Sequence, residues 1–163
     1  MGELSSSSFG TTALAAAATD ALEKARQAAG VRRTALFWLD APSGSLACVA
    51  TAGPAGTAGW LGQTLAAGLG MAGRAVREAR PVWTPDLLAD PRVPIAPWLR
   101  ERLEQEGLRL VAATPLRMEG GVRGALGFLD GPGRTLEESD LQRIAALADT
   151  VAQRLGVAHT ARP

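Results

Sequence analysis

Along the chain the spacing of apolar positions changes from one stretch to the next, and each change marks an element. From 12 to 29, Leu14, Ala18, Ala21, Leu22, Ala25 and Ala29 recur three or four residues apart without an intervening Gly or Pro. That spacing predicts a helix with one apolar face, and its alanine content makes helix the low-cost state. Thr11 or Thr12 supplies an N-cap and Gly30 a left-handed stop. The stripe is mostly small side chains, so a second helix can approach closely. Two apolar runs follow, 35–39 and 46–51, with turn residues at 40–45, a pattern that predicts a hairpin. Glycines at 53, 56, 59, 62, 68, 70 and 73 then describe a mobile loop feeding a short helix over 71–78.

Pro81 opens a brief strand at 82–84, and prolines at 85, 91, 94 and 97 reduce 86–96 to loop or single helical turns. A helix is expected over 98–106, ending at Gly107. Strands at 108–116 and 122–129 form a second hairpin across Met118-Glu119-Gly120-Gly121. The last element opens on Thr135-Leu136-Glu137-Glu138, read as a capping box between the Thr135 hydroxyl and the Glu138 carboxylate. Leu141, Ile144, Ala148, Val151 and Leu155 then alternate three- and four-residue steps, the seam of a paired helix, with Gly156 as its stop. Two terminal helices thus bracket an antiparallel sheet. The expectation is one α+β domain over 11–157, with a polar leader at 1–10 and a tail at 158–163.

Composition narrows what this domain can do. Hydrophobic residues make up 47% and charged residues 20%, a globular balance. Seventeen basic against sixteen acidic residues leave no global field to hold nucleic acid or an anionic bilayer. A single cysteine, Cys48, excludes an internal disulfide framework, and a single histidine, His159, argues against a histidine-rich zinc or haem site. No apolar run approaches the ~20 residues of a membrane span. No targeting pattern opens the chain, so a cytoplasmic location is expected.

Several motifs have both a chemical and a structural reading. Gly68-Leu69-Gly70-Met71-Ala72-Gly73 fits the dinucleotide fingerprint, with Asp86 near the ribose-binding position. That fingerprint requires a strand just before it, and 59–64 reads as loop, so the pattern is taken as a loop entering a helix. Cys48 is either a small apolar filler with a raised pKa or a redox sensor. Asp86 and Asp90 fit turn formation, and Glu137 and Glu138 fit a helix N-terminus, better than either pair fits acid–base catalysis. No nucleophile with a base and an orienting partner stands out.

The pieces 69–76, Arg80-Pro81-Val82, Pro85-Asp86-Leu87, Asp90-Pro91-Arg92, Gly107-Leu108-Arg109, Thr114-Pro115-Leu116, Gly124-Ala125-Leu126-Gly127 and Asp140-Leu141 occur in an order that resembles a GAF domain. The resemblance covers about 12–157. It implies an α+β fold with an antiparallel sheet of five to six strands, terminal helices on one face, and short helices and loops over a ligand pocket on the other. It implies a non-catalytic sensory module that binds an unidentified small molecule. Trp60, Trp83 and Trp98 then become pocket candidates, with Asp86, Arg92, Arg109 and Thr114 as polar ones and Arg74 a further cation. The alternative is that the indoles simply close the core and the arginines lie on the surface.

The resemblance also implies that Leu141, Ile144, Ala148, Val151 and Leu155 pair two subunits into a homodimer, or else cover the sheet of one subunit. Specialised relatives are disfavoured on composition. Sulfoxide reductases of the family use several cysteines. Covalent bilin needs a cysteine near 98–106, and haem would have only His159. The Asn-Lys-Phe-Asp-Glu signature of cyclic-nucleotide binders is absent, because the chain has no asparagine. Seven residues follow Gly156, so the expected output runs through a separate signalling protein or a longer parent chain. The competing expectation is a ligand-free dimerisation module.

Overall fold

The structure, a computed structural model, describes residues 9 and 12–160. Its elements in chain order are α1 (Thr12–Ala29), β1 (Arg33–Leu39), β2 (Leu46–Ala52), β3 (Thr64–Leu65), α2 (Gly70–Glu78), β4 (Val82–Thr84), a 3-10 turn at Leu87–Ala89, α3 (Pro97–Glu106), β5 (Leu110–Met118), β6 (Gly121–Asp130) and α4 (Glu138–Thr160). The six strands form one antiparallel sheet in the order β3-β2-β1-β6-β5-β4. Three expected strands lengthen by a residue or two, and β3 crosses a stretch expected to be loop.

The sheet separates two apolar cores. On one face Leu36, Trp38, Ala112, Leu116, Leu126 and Phe128 pack against Leu14, Ala18 and Leu22 of α1 and Ile144, Ala148, Val151 and Leu155 of α4. On the other, Ala35, Phe37, Ala113, Ala125 and Leu129 meet Met71 and Ala75 of α2, Leu99 and Leu103 of α3, and Trp60, Leu87 and Leu108. Alternation along each strand supplies both sets. In β2 a register shift opposite Leu36 and Phe37 breaks the alternation: Leu46 and Cys48 face the second core, whereas Ala50 and Ala52 face the terminal helices. An extra residue of this kind re-aims everything beyond it.

Some expectations fail at element ends. Helix α4 starts at Glu138, and the carboxylate that reaches back belongs to Asp140, which accepts the Glu137 N–H at 2.8 Å. The N-cap therefore falls at Glu137, two residues beyond Thr135, with one backward side-chain bond rather than a reciprocal capping box. Gly156 does not end the helix, because an interior glycine costs only about 1 kcal/mol and Leu155 beside it is fully buried. Phe9, assigned to the polar leader, is buried with its ring edge-on to Trp38 at 5.4 Å. The rest of 1–10, the Thr11 cap, residues 161–163 of the tail and the His159 side chain lie outside the described residues.

Candidate functional site

The face opposite the terminal helices has a floor of small residues. Ala35, Ala113 and Ala125 are fully buried there, and Gly127 lies between Ala35 and Ala113 in the strand pairing. Small floors leave depth, and here the roof fills it. Trp60, Met71, Leu87, Leu99, Leu103 and Leu108 descend from α2, α3 and the connecting loops, each 5% exposed or less.

One charged pair enters this apolar space. Arg33 opens β1 on the same side as Ala35 and Phe37 and is 1% exposed. Its Nε donates to Glu106 Oε1 at 2.9 Å, one Nη to Thr51 Oγ1 at 2.9 Å, and the other to the Gly56 carbonyl at 2.8 Å. The other carboxylate oxygen of Glu106 accepts the Trp60 indole N–H at 2.8 Å. The guanidinium also lies 4.6 Å from the Trp60 ring centroid, and Trp98 meets that ring edge-on at 5.8 Å. Every polar atom of the pair that points inward thus has a partner, which burial of charge demands.

The candidate residues divide across the sheet. Trp60 and Trp98 come together on the α2–α3 face, where the Trp98 N–H donates to the Thr64 carbonyl at 2.7 Å. Trp83 does not join them. Its neighbours in β4, Val82 and Thr84, take the α2–α3 side, so alternation turns Trp83 onto the terminal-helix core. Thr114 is corrected likewise: it shares its side with Ala112 and Leu116 and stands opposite Leu126. Asp86 caps the 3-10 turn by accepting the Leu88 N–H at 3.1 Å. Arg92 is exposed and closes a two-pronged pair with Asp90, at 2.9 and 2.8 Å. Arg109 donates to the carbonyls of Leu103 and Leu108, covering the end of α3. Arg74 pairs with Glu78 along α2. None of these four arginine or aspartate groups reaches the Trp60–Trp98 contact. Ile144, Ala148, Val151 and Leu155 are buried within this one subunit, so that seam closes its own core and is not a free face.

The sequence motifs do not single out Arg33 or Glu106. Glu106 carried a signal, since an acid in the last turn of a helix opposes the helix dipole and needs a nearby cation. Arg33 carried a weaker one, a long cation at the mouth of an apolar strand. The glycine pattern at 68–73 is also explained. A Cβ at Gly73 would lie 2.8 Å from the Gly68 carbonyl carbon, so these glycines let the loop lie against α2. Cys48 is buried and its thiol is pushed up to about 12 by that burial. Among the described residues no group of three or more His, Cys, Asp or Glu side chains is placed to hold a metal. No described helix is long and apolar enough to cross a membrane.

A family model for the GAF domain matches residues 13–155. The fold is similar to that of the GAF domain/HD domain protein from Geobacter sulfurreducens (TM-score 0.71, 18% identity, 96% of this chain and 99% of that one). It is similar to the GAF-B domain of DevS from Mycobacterium smegmatis (0.67, 21%, 90% and 96%). It is also similar to the free methionine-R-sulfoxide reductase from Neisseria meningitidis, solved in complex with its substrate (0.70, 18%, 96% and 87%). At these identities the likeness is one of fold. No curated protein matches the sequence.

Proposed function

The chain belongs to the GAF domain family, and from that premise we propose a non-catalytic cytoplasmic sensor that binds a small molecule on the α2–α3 face and signals through α1 and α4. The supporting observation is the asymmetry of the two faces. Long helices seal one directly, while short helices and loops roof the other over alanine and glycine, enclosing the Arg33–Glu106 pair. A buried ion pair contributes little net stability, which favours a role in recognition. The substrate complex of the Neisseria reductase is a precedent for a small molecule held by this fold. Reductase chemistry is not carried over, because the chain has one cysteine and its thiol stays protonated at neutral pH.

Strands β1, β5 and β6 belong to both cores, so a guest that favours one arrangement of the roof also biases the packing of α1 and α4. Thermal-shift screening against nucleotides, aromatic acids and tetrapyrroles tests the reading, with at least one class raising Tm. A uniformly flat screen overturns it. The ligand-free dimerisation module is favoured by one observation, the complete burial of Trp60, Leu103 and Leu108 where a guest would sit. That reading predicts a flat screen together with a mass that rises with concentration in light scattering. Exposed positions of α4 such as Gln142, Ala146 and Gln153 would then make the contact, since the seam is already covered.

A further inference from the structure

We propose that Trp60 is a built-in occupant of the ligand site: its indole fills the space a guest takes, and the loop over 53–63 swings out to admit a planar heteroaromatic molecule carrying an N–H donor. The proposal deepens the sensor reading above and rests on it.

The loop has one apolar anchor. From 54 to 64 every residue is exposed or half-buried except Trp60, which is fully buried. The remaining ties to the roof and to β1 are polar and few: Arg33 to the Gly56 carbonyl, Arg102 to the Ala58 carbonyl at 3.5 Å, and the Trp60 N–H to Glu106. The loop rejoins the sheet at Gly62 and Gln63, through paired backbone hydrogen bonds with Cys48. Gly59 and Gly62, on either side of the anchor, hold φ of 81° and 84°, a region glycine enters and leaves without steric cost. A bulky apolar side chain on such a loop can withdraw as a unit, whereas Leu99 and Leu103 are fixed by α3.

The chemistry left behind specifies the guest. Withdrawal of Trp60 exposes a carboxylate oxygen aimed at the indole nitrogen position, a guanidinium carbon 4.6 Å from the centre of the vacated ring volume, and the Trp98 ring at 82° to it. A flat ring system fits between the cation and the Trp98 ring, and an N–H donor satisfies Glu106, whose unpartnered oxygen is otherwise costly. An exclusively structural Trp60 would account for its burial. It would not call for a surface-looped segment whose other residues face solvent.

The test uses indole and benzofuran, which share a shape but differ in the N–H. Because the wild-type site is available only while Trp60 is out, apparent affinity falls by the open fraction. Titration calorimetry is expected to show indole binding Trp60→Ala at least tenfold more tightly than wild type, and at least fivefold more tightly than benzofuran binds that variant. Equal affinities for wild type and variant, or no uptake of indole by the variant, overturn the proposal. Should Trp60→Ala fold poorly, hydrogen exchange on the wild type decides: amides at 60–62 are expected to exchange at least a hundredfold faster than those of Leu36 and Leu126. Equal protection overturns the swinging loop. The two readings fail separately. A compound that raises the wild-type Tm while leaving loop exchange unchanged sinks the plug alone, and a flat screen alongside indole uptake by the variant sinks the sensor reading alone.

Discussion

Asp90 gathers four donors: the Arg92 Nε, a second guanidinium nitrogen at 2.8 Å, the Arg92 backbone N–H at 3.0 Å and the Thr84 hydroxyl. The Arg92 side chain is the main cause holding its carboxyl well below the usual carboxylate range. A depressed pKa contributes stability above the unfolded value near 3.8, lost as pH falls through the folded one. Asp90→Asn should therefore cost about 1–3 kcal/mol at pH 7, and urea curves should show the gap from wild type narrowing below pH 4. Cys48 gives a second prediction. Its buried thiol should react with Ellman's reagent at pH 8 only as fast as the β2 region opens, far more slowly than in urea, and an immediate reaction would mean an exposed thiol. Its burial was legible from its place in an apolar run. The fate of Arg92 and Asp86 was not, because a loop arginine or aspartate reads the same whether it closes a turn or faces a guest.

At the scale of elements, the helices and strands were legible because each carries its own period, and α1 keeps both expected ends. Helix α4 shows where local reading slips: Thr135 and Glu138 have the spacing of a capping box, yet the helix starts at Glu138 and the carboxylate that reaches back is that of Asp140. Asp140→Ala should destabilise the protein by about 1 kcal/mol, with Thr135→Ala near neutral in the same thermal melt. The seam supplies a further prediction. Leu155 is fully buried against α1 and the sheet, so Leu155→Ala should cost about 2–5 kcal/mol with the molecular mass in light scattering unchanged. A mass that halves would instead return the seam to a dimer contact.

Over the whole molecule, the Arg33–Glu106 pair joins β1, the loop over 53–63 and the end of α3, segments more than 70 residues apart in places. Arg33→Met should cost about 3–5 kcal/mol in urea unfolding by leaving Glu106 without its counter-charge and the Gly56 carbonyl without its donor, and adding Glu106→Leu should recover part of it. A single variant near neutral would show that water already reaches the pair.

Periodicity, glycine stops and the order of short motifs settled by themselves an antiparallel sheet with helices at both ends of the chain, since those signals come from neighbours three or four residues away. Which side of the sheet each tryptophan takes, which cation goes inside and what the seam packs against were decided by tertiary structure alone. A strand parity that turns Trp83 from Trp60, or a bulge that re-aims β2, depends on pairing across the sheet, and a buried charge finds its partner through space rather than along the chain.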